Sequence, residues 1–297
     1  MTPDEIRNTI LKAIYSNEQL NENLVLKGGN ALKIHGIVER ESQDLDFSLK
    51  ETIRFSEENE GKEFKDSISE AFSDKGYFVN AFEFVSKPKK RHDNLPPYWG
   101  GYKISFTLLD ANIYQDIIKS QPSEKMKELN KFAIPLEGDG KKIEIDLSYD
   151  EYVETKEDYD LDGTKIYLYS PLMIVYEKIR ASCQQLDEYP LTTNRTRARD
   201  LYDIYKALTN SKQMDLRDKV LSSENFYILE NIFRVKEVPF NLMNKLETKK
   251  DDLKIDYEEK VLPQIPSKAQ EDFEFIFDYN QKLFQVLYDN YDNWLKK

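Results

Sequence analysis

LVLKGGNALKIHGIVERESQDLDFSLK, residues 24–50, decides the fold of this chain. NLVLK, which starts one residue earlier at Asn23, is a short apolar run that reads as a buried strand, and Gly28-Gly29 follows as a turn. NALKIHG then reads as a short helix closed by Gly36, and LDFSLK as a second strand. In SQDLDFS the strand period of two sends Asp44, Asp46 and Ser48 to one face and Leu45, Phe47 and Leu49 to the other. The apolar face anchors the strand, so the two carboxylates project together.

Such a pair repels itself, which raises the pKa of one member unless a cation neutralises it. Paired carboxylate oxygens suit Mg²⁺, which binds one or two carboxylates together with substrate phosphates. IEIDLS repeats the device downstream, with Ile143, Ile145 and Leu147 on one face and Glu144, Asp146 and Ser148 on the other. Asp146 from a neighbouring strand is the expected third carboxylate of a metal site, acting as base or ligand beside an attacking oxygen. Gly28 and Gly29, without Cβ atoms, allow close approach to a triphosphate, and Asn30 adds a side-chain hydrogen bond. Taken singly, a double glycine is a turn and D-x-D a solvated face; the ordered set is what points to phosphoryl chemistry.

Around this stretch the pattern is mixed. Thr2-Pro3 caps an opening helix with apolar residues at Ile6, Ile10, Leu11 and Ile14. EENEGKEFKDSISEAFSDKG predicts a charged amphipathic helix, and YFVNAFEFV, YKISFTLLD and KKIEIDLSYD predict strands. DEYVETKEDYDLDG reads as an acidic connector to TKIYLYS. From Ser170-Pro171 onward the chain reads as helices: LMIVYEKIRASCQQL, NRTRARDLYDIYKALT behind a second polar cap, SSENFYILENIFRV, NLMNKLETKK and EDFEFIFDYNQKLFQVLYDNYDNW. The fold class is therefore α+β, with a domain over residues 1–165 and an all-helical one over 166–297.

LKGGNAL followed by RESQDLDFS resembles the first motif of the AbiEii and MenT toxin family of nucleotidyltransferases, a glycine pair with Ser or Thr, Ala-Leu, then arginine and Ser-x-Asp-hydrophobic-Asp. PLMIVYEKIRA and RTRARDLYDIY are similar to the family's later lysine motif and its arginine-aspartate motif, so the likeness runs in order from Leu24 to Tyr205. It implies a nucleotidyltransferase domain of the DNA-polymerase-β type, a mixed sheet with flanking helices, followed by a helical C-terminal domain. It also implies Mg²⁺-dependent transfer of a nucleoside monophosphate from an NTP to an RNA acceptor, the 3′ end of tRNA in characterised relatives, which blocks translation. A cognate antitoxin, a DNA-binding protein or a kinase, is the implied partner. By the resemblance, Gly28, Gly29 and Asn30 grip phosphate, Asp44 and Asp46 are metal ligands, Asp146 is the third carboxylate, Lys178 lies near the triphosphate, and Asp200 is the later aspartate, with Arg199 and Asp203 beside it. Position 30 departs from the pattern in being Asn.

The residues of the second pair of motifs admit two readings. Lys178 borders the apolar face set by Ile174 and Val175, where it can reach phosphate; Asp200 and Asp203 lie one turn apart, and Arg199 can pair with Asp203. A salt-bridge network between the helices fits equally.

A net charge of −12 disfavours broad adhesion to nucleic acid or anionic lipid but leaves room for a local basic groove. SKPKKRHDNLPPYWGGY supplies Lys87, Lys89, Lys90 and Arg91 with Tyr98 and Trp99, a combination suited to single-stranded RNA ends, or equally to a solvated loop. Arg195 and Arg197 of NRTRAR offer a second patch. The lone Cys183 reads as a buried structural thiol, and His35 and His92 are too isolated for a metal pair or triad. Acids in the first turn and the lack of any long apolar run predict a cytoplasmic protein with no membrane partner. Two alternatives stay open: a small-molecule nucleotidyltransferase of the antibiotic-modifying kind, and a nucleotide-binding interaction protein without turnover.

Overall fold

The computed structural model describes residues 1–38, 44–90, 95–120, 126–136, 140–192 and 195–296. The chain opens with α1 (Pro3–Tyr15), whose first turn is closed by a capping box between Thr2 and Glu5, and a short α2 (Glu18–Asn21). Then come β1 (Leu24–Lys27), α3 (Gly28–Ile34), β2 (Leu45–Lys50), α4 (Glu60–Ser73), β3 (Tyr77–Lys87), β4 (Gly101–Asp110), α5 (Ala111–Ser120), α6 (Met126–Leu129) and β5 (Ile143–Glu151). An antiparallel pair, β6 (Glu157–Leu161) and β7 (Thr164–Leu168), precedes the helices α7 (Pro171–Gln184), α8 (Ala198–Thr209), α9 (Leu216–Leu221), α10 (Phe226–Arg234), α11 (Lys250–Asp256) and α12 (Phe273–Leu295).

The seven strands form one mixed sheet in the order β3-β4-β5-β2-β1-β7-β6. At its centre β2 runs parallel to β5 and antiparallel to β1. Alternation does what the pattern predicts: Leu45, Phe47 and Leu49 of β2, and Ile143, Ile145 and Leu147 of β5, are buried on one face. Tyr15 of α1 pins the sheet's far side, its hydroxyl donating to the carbonyls of Tyr167 at 2.7 Å and Leu24 at 3.1 Å. The expected α+β class holds.

Two compact units result, the first from Met1–Lys27, Glu41–Val153 and Glu157–Leu168, the second from Gly28–Arg40, Glu154–Lys156 and Tyr169–Lys297. All seven strands belong to the first. In the second, Ser170 caps α7 by accepting from the Met173 amide, and Asp272 caps α12. No helix among the described residues is long and apolar enough to cross a membrane.

The structure departs from the sequence reading in three places. KEDYDL, inside the expected acidic connector, contains strand β6: four of its five residues are exposed, and its backbone pairing with β7 holds it as an edge. Gly28 and Gly29 form the first turn of α3 instead of a turn before it, with Gly28 at φ +68. NLMNKLETKK lies in a 3-10 helix, Phe240–Lys249, which passes into α11.

Candidate active site

Asp46 and Asp146 are register partners in the parallel pair β2–β5. The same row continues to Lys27 on β1, opposite Asp46, and to Lys103 on β4, opposite Asp146. Register partners point to one side of a sheet, so two carboxylates stand side by side between two lysines. Both aspartates are half-buried, whereas Asp44, one residue before β2 begins, is exposed. Two residues further along the same face, Ser48 and Ser148 are partners, and Ser48 is fully buried.

Cations answer these acids. The ammonium of Lys87, the last residue of β3, pairs with Asp146 Oδ1, and that of Lys103 with Glu144 Oε2. Burial works to lower the Lys103 pKa, but Glu144, Asp146 and Asp44 outweigh it and hold the group above its ordinary value. Lys27, also buried, forms a 3.0 Å ion pair with the buried Glu151.

The donor set fits a hard cation. Among the described residues no three ligand-type side chains gather closely enough to hold an ion by themselves. Adjacent Asp46 and Asp146, with Asp44 next along the chain, instead suit Mg²⁺ in its usual mode, in which phosphates and water complete the shell.

The second unit carries the predicted phosphate-gripping residues Gly28, Gly29 and Asn30, with Lys178 and Asp200. Asn30 is buried in α3, and His35, just beyond that helix, donates from Nε2 to the Tyr169 carbonyl at 2.9 Å. On α7, Lys178 is buried and bonded to two carboxylates of α8, Asp200 at 2.6 Å and Asp203 at 2.9 Å. Burial opposes both charges; the Asp200 and Asp203 carboxylates nevertheless hold the Lys178 ammonium well above its ordinary pKa, and Lys178 with Arg197 holds Asp200 below its own. Arg197 reaches Asp200 at 3.3 Å, and Arg199 donates to Gln264. The amino terminus of α8 is capped from a distance, the Ala198 amide donating to Asp256 Oδ2 at 3.1 Å, where the sequence reading looked for a local polar cap.

Of the predicted basic residues, Lys89 and Lys90 are exposed just beyond β3, Arg195 and Arg197 are exposed ahead of α8, and Arg91, like His92, lies outside the described residues. Tyr98 and Trp99 are half-buried. Cys183 is buried, which pushes its thiol pKa up and leaves it unreactive. The sequence reading missed Lys103 and Lys27; the signal for Lys103 was a lone cation near the start of a strand whose remaining residues as far as Leu109 are uncharged.

The model of a known family, the nucleotidyl transferase AbiEii toxins of type IV toxin–antitoxin systems, matches residues 9–279. The chain belongs to that family. It is thus a nucleotidyltransferase of the toxin kind, an enzyme that takes a nucleoside triphosphate as substrate and has an antitoxin as its partner. Solved structures similar to this AbiEii chain include JHP933 from Helicobacter pylori, with 18% identity, 98% of this chain and 92% of that one covered, and a TM-score of 0.46. A nucleotidyltransferase structure from H. pylori is similar at 18% identity, covering 98% of this chain and 95% of that one with a TM-score of 0.46. An antigenic nucleotidyltransferase-like protein from Paracoccidioides brasiliensis shows 14% identity, 78% and 94% coverage and a TM-score of 0.36. Among curated proteins none matches.

Proposed function

We propose that this AbiEii enzyme transfers a nucleoside monophosphate from an NTP to the 3′ end of an RNA, with tRNA as the acceptor, and so blocks translation. The observation that carries the reading is the pairing in register of half-buried Asp46 with half-buried Asp146, on the sheet face away from Leu45, Phe47, Ile145 and Leu147. In this reading Asp44 and Asp46 hold Mg²⁺ with Asp146 as third carboxylate. Gly28, Gly29 and Asn30 grip the triphosphate together with Lys178, and Asp200 fixes the Lys178 ammonium. Mg²⁺ bound there supplies Lewis-acid stabilisation of the charge that develops on the phosphoryl and leaving oxygens.

The residues of the chain do the rest. Asp146 takes the proton of the acceptor's 3′ hydroxyl; that oxygen bonds to the α-phosphorus as the bond to the bridging oxygen breaks, and pyrophosphate leaves. Exposed Lys89 and Lys90, with Arg195 and Arg197, are the cations offered to the RNA backbone, and Tyr98 and Trp99 the surfaces for bases. In a chain of net charge −12 such contacts are local, which favours an RNA end over long duplexes.

The test is incubation with each of the four α-labelled NTPs, Mg²⁺ and total tRNA. Label on tRNA that is lost in Asp46→Ala supports the proposal. Equal labelling by wild type and Asp46→Ala refutes the site, and label on a small molecule in the absence of RNA refutes the acceptor.

A further inference from the structure

Lys87 stands apart from the basic residues that follow it. It is the last residue of β3, held by the sheet ladder opposite Gly101 of β4, while Lys89 and Lys90 lie beyond the strand. From β3 its side chain passes across β4 to reach Asp146 on β5. The crossing occurs where β4 has no side chain: Lys87, Gly101 and Ser148 are partners in one row, and Asp146 lies two residues from Ser148 on the same face. Position 101 must stay so, because a Cβ there would stand 1.8 Å from the Leu147 carbonyl oxygen.

This ion pair differs in kind from the one around Lys178. The Lys87 side chain is 46% exposed and that of Asp146 31%, against 6% for Lys178 and 0% for Asp203. Exposed pairs are weak and change partners readily; buried ones do not. The face it serves also carries Asp44, Asp46 and Glu144, with Glu144 already met by Lys103. Among the described residues Lys87 is ion-paired with Asp146, while Lys103, opposite Asp146 in the ladder, is paired with Glu144. A divalent cation held by these carboxylates would offset the charge of Asp146 in place of Lys87, and the triphosphate bound with it would bring more negative charge than the ion cancels. An ammonium released from Asp146 would then be drawn to phosphate, which lysine serves well as a mobile point charge.

We infer that Lys87 is a nucleotide-binding residue that exchanges partners, holding Asp146 before the nucleotide arrives and the nucleotide's phosphates afterwards. The inference deepens the proposed function and rests on its carboxylate site. It assigns Lys87 to the triphosphate and leaves the RNA to the residues beyond it.

Two binding measurements on the full chain test it. Mn²⁺ alone is titrated and followed by paramagnetic resonance, and the α,β-methylene analogues of ATP, CTP, GTP and UTP are titrated by calorimetry in saturating Mg²⁺. In Lys87→Met the competing cation is gone, so Mn²⁺ binds about fivefold tighter. The same variant has lost a charged phosphate contact, so the preferred analogue binds about tenfold weaker. These opposite shifts are ones that a purely structural lysine does not produce. Lys87→Arg keeps the charge and stays near wild type in both, which guards against a folding defect in the first variant. Unchanged Mn²⁺ and analogue affinities in Lys87→Met overturn the inference, as does a loss confined to RNA affinity. If Asp46→Ala binds Mn²⁺ and analogue as wild type does, the site itself is wrong; if it loses both while Lys87→Met behaves as wild type, only the exchange is wrong.

Discussion

Asp46 and Asp146, a hundred residues apart in sequence, are direct partners on adjacent parallel strands, and the ladder places a lysine on either side of the pair. Like charges directly opposed in a sheet destabilise it by up to about 1 kcal/mol, so the fold alone gives no reason to keep both. The expected signature of a functional pair follows. Asp46→Asn and Asp146→Asn lose transfer activity by about 10²–10³, the usual effect of removing a group that stabilises developing charge. Their melting temperatures stay level or rise slightly. Label transfer to tRNA and thermal melts of the same preparations check both halves.

Lys178, Asp200 and Asp203 give the opposite balance. Removing the lysine alone leaves two carboxylates buried without it, so Lys178→Met costs about 3–5 kcal/mol of stability. Its activity loss is therefore uninformative by itself, and nucleotide affinity has to be measured under conditions where the variant is folded. The pH dependence follows from the direction of the shifts. Asp200 is depressed below its ordinary 3.8, so its stabilisation is complete above that value and fades as pH falls through the lower folded one. Lys178 is raised above 10.5, so its share is complete below that value and fades as pH rises through the higher folded one. Urea midpoints of the wild type are then flat between about pH 5 and pH 9 as far as this cluster is concerned. Asp200→Asn removes both the low-pH loss and part of the plateau.

The candidate site was legible in the sequence to the extent that it depended on a strand's period of two. Leu45, Phe47, Ile145 and Leu147 had to face a core, so Asp46 and Asp146 had to face away from it. Which residue of one strand meets which of the other was not legible, because register is set by packing between strands a hundred residues apart. Lys87 shows the cost: in the sequence it belongs with Lys89 and Lys90, and only the ladder carries it to Asp146. Strand β6 escaped notice because Glu157, Asp158 and Asp160 are poor strand formers and the ladder to β7 supplies what propensity does not. The cap of α8 was equally out of reach, since the residue that provides it, Asp256, is 58 positions away.

Gly101 offers a sharp contrast with Gly140. A Cβ at Gly101 would lie 1.8 Å from the Leu147 carbonyl oxygen and 2.9 Å from its carbon, both backbone atoms that cannot yield without parting β4 from β5. At Gly140 a Cβ would meet nothing within 4 Å. Gly101→Ala is expected to cost about 3 kcal/mol or more, and Gly140→Ala to leave stability unchanged. Chemical denaturation of the two variants beside wild type decides it. A Gly101→Ala protein as stable as the wild type would contradict the close β4–β5 pairing over which Lys87 reaches.

The basic residues beyond β3 predict a salt effect that separates them from the carboxylate face. If Lys89 and Lys90 each meet one phosphate of a single-stranded RNA end, replacing both with alanine removes two contacts. The slope of log K against log salt then flattens by about 1.4, because each contact on a single strand contributes roughly 0.7. Affinity falls at low salt and converges on the wild-type value at high salt. Affinity for the nucleotide analogue in Mg²⁺ does not change, since neither lysine is assigned to the triphosphate. Filter binding of a labelled tRNA 3′-end oligonucleotide over a range of salt concentrations gives the slope. An unchanged slope would remove Lys89 and Lys90 from the RNA interface and leave Arg91, Arg195 and Arg197 as its remaining basic candidates.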